Sequence, residues 1–108
     1  MVLKYNDETY EDTVYEFGAK EGSKVHWPSH KFKLGLPFPN LPYYIDGNIK
    51  LSQSSTILRH LGKKYKMYGA NDIEASEIDM LIDVSADLRV GLALKNYAEP
   101  DFVSLSCL

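Results

Sequence analysis

Three short runs in this 108-residue chain carry side chains suited to holding an anionic, extended ligand. Gln53-Ser54 stands just before a helical pattern. The unsatisfied amides and the positive dipole end of a helix start form an anion site, and the Ser54 hydroxyl adds a donor. The plainer alternative is that Ser54 only caps the helix. Trp27 and Lys31 lie four residues apart. An indole N–H and an ammonium together can hold a carboxylate, although an isolated Trp/Lys pair more often means a core indole and a solvated amine. Asn40-Leu41-Pro42-Tyr43 precedes a short apolar run. A cis Leu41–Pro42 peptide there would turn backbone groups outward, where an extended peptide could pair with them as an added strand. A trans loop proline is the competing possibility.

Other constellations are weaker. His26 and His30 are four apart, but a metal site needs more ligands in a definite geometry, and no third ligand or cysteine cluster accompanies them. No metal is expected. Asp79, Asp83 and Asp87 recur every four residues, which reads as a solvated helix face. Phe38 is a bulky apolar residue between two prolines, exposed at a cost unless it fills a pocket. There is no phosphate-binding glycine loop, dinucleotide motif or local Ser-His-Asp signature.

The elements that would position these groups can be read from pattern. Thr9 to Phe17 is rich in Tyr, Thr and Val and reads as a strand. A glycine-bounded loop follows, and Pro28 permits a short helix only near its start. Residues 35–42 hold three prolines and form a surface loop. Tyr43-Tyr44-Ile45, an Asp46-Gly47 turn and the alternation of Ile49 and Leu51 predict a hairpin. Ser54-Ser55-Thr56 supplies capping hydroxyls for a helix carrying Ile57, Leu58, Leu61 and Tyr65, with Gly69 as its stop. A last helix begins near Ile73, its stripe marked by Ile78, Leu81, Ile82, Ser85, Leu88 and Leu92, and Pro100 ends it.

Bulk properties exclude several classes. Apolar residues make up 44%, charged residues 25%, and the net charge is −3, so general attraction to nucleic acid or an anionic membrane is not expected. No apolar run approaches the ~20 residues needed to cross a bilayer. The opening MVLKYNDETYED turns acidic at once, unlike a secretory signal. The lone Cys107 excludes an internal disulfide, and a cytoplasmic location fits. Val2 to Tyr5 reads like the end of an element, and residues 103–108 lack a period, so both ends are expected to be cut.

Taken together, the segments from Trp27 to Gly47 and from Leu51 to Leu61 resemble mu-class glutathione transferases. The run Lys31-Phe-Lys-Leu-Gly-Leu-Pro-Phe-Pro-Asn-Leu-Pro-Tyr43 is quite specific to that class, the Gln53-Ser54 helix start is shared more widely, and a looser likeness extends from about Leu3 to Phe102. The resemblance implies an incomplete thioredoxin-like α/β domain over residues 1–70 that binds glutathione, followed over 71–108 by the first helix of an all-helical domain. It implies glutathione as co-substrate, with no metal. Trp27 and Lys31 would hold the glycyl carboxylate, with Lys24 nearby. Asn40 would position the tripeptide, and Leu41, ahead of Pro42, would pair with its cysteinyl unit. Gln53 and Ser54 would take the γ-glutamyl carboxylate. Asp87 would approach the γ-glutamyl amine from a partner subunit, and Phe38 would insert into that partner. The family conjugates glutathione to electrophiles in detoxification and is homodimeric.

The chain departs from the family pattern in one respect that matters chemically. Relatives begin with a strand bearing the tyrosine that stabilises the glutathione thiolate, and that strand has no counterpart here. A free thiol with a pKa near ~8.5 stays mostly protonated at neutral pH, while conjugation needs the thiolate. Tyr5, Tyr10 and Tyr15 do not match that tyrosine, so no catalytic residue is assigned and the chain alone is expected to be inactive. The alternatives are a non-catalytic glutathione-binding or dimerising fragment, or a truncated product without activity.

Overall fold

The computed structural model describes residues 2–16 and 18–98. Phe17, Pro100, Phe102 and Cys107, which figure in the sequence reading, lie outside the described residues. The chain divides into two compact units, the first running to Met67 and the second beginning at Tyr68.

In the first unit, a one-turn helix α1 (Val2–Tyr5) leads into residues 8–16, which have no regular structure. Over residues 9–16, the strand expected for Thr9–Phe17 is therefore not formed. Strand-favouring side chains do not make a strand without a ladder. The backbone bonds of this stretch lie at its ends, from the Glu8 N–H to the Leu3 carbonyl at 3.0 Å, from the Glu16 N–H to the Val25 carbonyl at 3.0 Å and from the Ala19 N–H to the Glu16 carbonyl at 3.4 Å. Helix α2 (Trp27–His30) has Pro28 in its first turn, where a missing N–H costs nothing.

The hairpin consists of β1 (Tyr43–Asp46) and β2 (Ile49–Ser52), antiparallel, with Tyr43 opposite Ser52 and Asp46 opposite Ile49. The two connecting residues are Gly47 and Asn48, one position later than the Asp46-Gly47 turn read from sequence. Gly47 has φ 56 at the first central position, the place that type II′ hairpin turns reserve for glycine. Helix α3 (Ser54–Lys64) packs on both strands. Among the described residues of this unit, Leu61 and Leu36 are the buried large apolar side chains, at 5% and 6% exposure.

The capping of α3 differs from expectation at both ends. Its N-cap is Gln53, with φ 74 and no side-chain capping bond, and Ser54 is already helical. At the other end Gly69 is not the stop. Lys66 takes the left-handed conformation, φ 56. Its N–H bonds the Lys63 carbonyl at 3.2 Å and the Met67 N–H bonds the Gly62 carbonyl at 2.7 Å. That pair of bonds is a Schellman motif, which satisfies the carbonyls the helix end leaves over.

The second unit is built on α4 (Asp72–Ala98). Asn71 starts it, its Oδ1 accepting from the Ile73 and Glu74 amides, both at 3.0 Å, while a Glu74 carboxylate oxygen accepts from the Ala70 N–H at 2.7 Å. This is a variant of the capping box. The predicted apolar stripe is only partly covered. Ile78 and Ile82 are half-buried, but Leu81 and Leu88 are 63% and 64% exposed. Asp79 is not a freely solvated face residue, because it is half-buried and accepts from the Tyr68 hydroxyl. No helix among the described residues is long and apolar enough to cross a membrane.

Candidate functional site

The hairpin register sets the geometry of the site. Tyr43 stands opposite Ser52, so Pro42, which precedes β1, and Gln53, which follows β2, leave the hairpin at the same end. The proline turn and the start of α3 thus share one end of the hairpin. Leu41, Pro42 and Ser54 line the same open cleft of about 1170 Å³. The Leu41–Pro42 peptide is cis, as the sequence suggested. The approach loop is pinned from below, with the Ser52 hydroxyl donating to the Phe38 carbonyl at 2.5 Å.

An aromatic cluster fixes α2 against β1. The Trp27 ring stacks on Tyr43 at 6.0 Å and meets Tyr15 edge-on at 5.1 Å, while Tyr15 lies 6.3 Å from Tyr43 and 6.1 Å from His30. Edge and offset contacts of this kind stabilise by about 0.5–1.5 kcal/mol a pair beyond burial. Trp27 is half-buried, so its body packs while one rim stays accessible. Lys31 follows one turn later, its N–H bonding the Trp27 carbonyl at 2.9 Å. Its ammonium sits over the neighbouring Phe32 ring, 5.5 Å from the centroid, so it would leave a cation–π contact to meet a carboxylate.

The remaining candidates are placed less closely. Asn40 is exposed, and its Oδ1 accepts from the Leu41 N–H at 2.9 Å. That bond occupies the amide a bound peptide would use, so a ligand must displace it or pair with the Leu41 carbonyl alone. Gln53 is exposed, and its strained φ aims the chain into α3. Lys24 is exposed in the turn before α2, and no contact draws it to the others. Phe38 is 78% exposed and fills no pocket of its own unit among the described residues. Asp87 is an exposed residue of α4 in the second unit.

The two histidines serve local structure. His26 Nδ1 bonds the Ser29 hydroxyl at 2.6 Å, and His30 Nε2 bonds the Ser23 carbonyl at 3.0 Å. Among the described residues no group of His, Cys, Asp and Glu is arranged to hold a metal ion. Sequence reasoning missed the pairing of Tyr15 with Tyr43, whose hydroxyls lie 3.2 Å apart. Burial, and then the hydrogen bond to Tyr43, push the Tyr15 phenol up to about 12. Sequence also missed the cluster beneath the turn, where Asp46 accepts from Lys64 at 2.8 Å and from the Tyr44 hydroxyl at 3.0 Å. Aromatic residues at 15, 27 and 43 were visible as types. Their meeting depends on long-range packing that carries no local signal.

Comparison with known proteins finds glutathione S-transferases. The chain is 46% identical over 103 residues to glutathione S-transferase Mu 2 of Rattus norvegicus, covering 94% of this chain and 47% of that protein. It is 45% identical over 105 residues to the class-mu 26 kDa isozyme of Schistosoma japonicum, covering 97% and 46%. It is 43% identical over 109 residues to a glutathione S-transferase of Tyrophagus putrescentiae, covering 95% and 50%. The chain is homologous to the mu-class glutathione S-transferases. It spans about half the length of the relatives it matches. No family model matches it. A two-stranded sheet with its helices, followed by a long helix, is consistent with part of a thioredoxin-like domain and the start of the helical domain of glutathione S-transferases.

Proposed function

We propose that the first unit is the glutathione-binding part of a mu-class glutathione transferase, and that α4 opens its helical domain. The juxtaposition of Leu41-Pro42 with the N-terminus of α3 at Gln53-Ser54 supports this reading most directly. The γ-glutamyl carboxylate would meet the amides, dipole and Ser54 hydroxyl of α3. The glycyl carboxylate would meet Lys31 and the Trp27 N–H, with Lys24 adding positive potential. Between them, Asn40 and the Leu41 backbone would hold the extended tripeptide as an added strand. In a homodimer, Phe38 would contact the partner and Asp87 would reach the partner's ligand amine.

The reaction of the whole enzyme would be attack of the glutathione sulfur on an electrophilic carbon after the thiol proton has left, a detoxifying conjugation in the cytoplasm. The protein's part is to fix the nucleophile and stabilise the sulfur anion. This chain by itself is proposed to bind but not to activate. The phenols of Tyr15 and Tyr43 bond each other, and a Tyr15 phenol pushed up to about 12 is a poorer donor to a thiolate than an ordinary tyrosine.

Isothermal titration with glutathione tests binding. Weak saturable binding is expected, falling about tenfold or more in Ser54→Ala and in Lys31→Ala, since hydrogen bonds to charged groups contribute about 1.5–3 kcal/mol. Unchanged affinity in both variants would refute the residue assignment. A conjugation rate near that of a full-length relative would refute the absence of activation.

A further inference from the structure

The loop between α2 and β1 is held by side chains of β2 and not by its own backbone. Among the described residues, none of residues 34–42 gives or accepts a backbone–backbone hydrogen bond. Pro37, Pro39 and Pro42 have no N–H to give. Instead, Lys50 Nζ donates to the Leu34 carbonyl at 2.8 Å, and the Ser52 hydroxyl donates to the Phe38 carbonyl at 2.5 Å. Residues two apart on a strand share a face, so β2 presents two donors to two loop carbonyls from one side. Gly35 leaves room for the first tie. It has φ +67, and a Cβ there would lie 2.8 Å from Lys50 Nζ. Between the two tied carbonyls, Leu36 is buried.

Ser52 closes the loop that follows at both ends. Its hydroxyl holds Phe38, and its place in the hairpin register faces Tyr43. Residues 39–42 are thus a short span anchored twice on one residue. Asn40 and Leu41, proposed to meet the middle of glutathione, lie within that span. The next residue after Ser52 is Gln53, which turns the chain into α3 and its Ser54 hydroxyl. Ser52 therefore joins the two halves of the proposed site, while its own hydroxyl is committed to Phe38. Given the glutathione site proposed above, on which this rests, we infer that Ser52 is a positioning residue for the tripeptide. Its bond to Phe38 sets Asn40 and Leu41 against the start of α3 without touching the ligand, and Lys50 supports the same loop from behind Leu36. Without that bond the span is free at its Phe38 end, and a ligand must order it on binding, which costs affinity.

The test compares Ser52→Thr with Ser52→Val in the 108-residue chain. The two side chains have nearly the same shape and both suit a strand, so a difference between them reads the hydroxyl. In titration calorimetry with glutathione, the threonine variant is expected to keep the parent affinity. The valine variant is expected to bind about three- to tenfold more weakly, the worth of one neutral hydrogen bond. The amide resonances of Asn40 and Leu41 are expected to move in the valine variant and to stay near their parent positions in the threonine variant. Lys50→Met keeps the side-chain stem at an exposed position and is expected to lose about twofold, since solvent weakens that tie. Threonine and valine variants that bind alike overturn the positioning role, and the glutathione site itself stands as long as Ser54→Ala or Lys31→Ala binds more weakly than the parent. If the parent does not bind, or neither of those alanine variants is weaker, the site assignment falls and the positioning role falls with it. Should the valine variant fail to fold, Lys50→Met decides, and an affinity equal to the parent's overturns the inference.

Discussion

Trp27 is the only tryptophan in the chain, and it joins the two roles the structure gives this region, packing and ligand contact. Replacing it with alanine removes a stacked contact to Tyr43 at 6.0 Å and an edge contact to Tyr15 at 5.1 Å. Two aromatic pairs at about 0.5–1.5 kcal/mol each give about 1–3 kcal/mol. The lost burial of a half-buried side chain adds about 1 kcal/mol. The expected cost is therefore about 2–4 kcal/mol, a large share of the stability of a small unit. Trp27→Phe keeps a ring in the cluster and is expected to cost under about 1 kcal/mol. Yet it deletes the indole N–H, so its affinity for glutathione should still fall roughly tenfold. Urea unfolding followed by far-UV circular dichroism reads the first effect, and titration calorimetry the second. If the alanine variant is unfolded without urea, the cost has exceeded the total stability, which agrees in direction. Two results would refute the reasoning: an alanine variant as stable as the parent, or a phenylalanine variant that binds glutathione undiminished.

Other outcomes follow from local geometry. Asn71→Ala removes an oxygen that accepts two α4 amides, and should cost about 1 kcal/mol in a thermal melt that reads the helix. Gly69→Ala should destabilise the same unit, since a Cβ there would lie 2.8 Å from the Ala75 backbone nitrogen at a φ of +79. Lys66→Gly relieves a left-handed non-glycine at φ 56 and should raise stability by about 0.5–1 kcal/mol. The Asp46–Lys64 tie should be pH-dependent at both limits. Lys64's hydrogen bond holds Asp46 below the usual carboxylate range, so this contribution is complete above the unfolded carboxylate's titration and is lost as pH falls through the lowered value. The same bond raises Lys64, so its contribution is complete below the unfolded lysine's titration and is lost as pH rises through the raised value. Asp46→Asn should abolish the acid limb in an NMR titration of the hairpin, and a limb that persists would assign it to another group.

How much could be read without coordinates depends on the range of the interaction. The hairpin, the cis proline bond and the helix after Gln53-Ser54 follow from turn chemistry and periodicity within a few residues, and they appear almost where the sequence placed them. The capping of α3 was not legible at either end. The Ser54 hydroxyl is one residue too late to cap, because Gln53 turns the chain with a positive φ. The stop after α3 needed no glycine, because Lys66 accepts the left-handed strain that the Schellman bonds offset. The meeting of Tyr15, Trp27 and Tyr43 and the Asp46–Lys64 tie lie beyond any local pattern.

The Thr9–Phe17 reading failed for a reason that bears on function. Its Tyr, Thr and Val composition reports how side chains would fit on a pleated surface. It does not report whether a neighbouring backbone is present. Residues 9–15 have no ladder partner among the described residues, and β1 leaves one edge unpaired across the same cleft. A strand-forming composition without a strand therefore marks backbone that is chemically prepared to pair but has nothing to pair with.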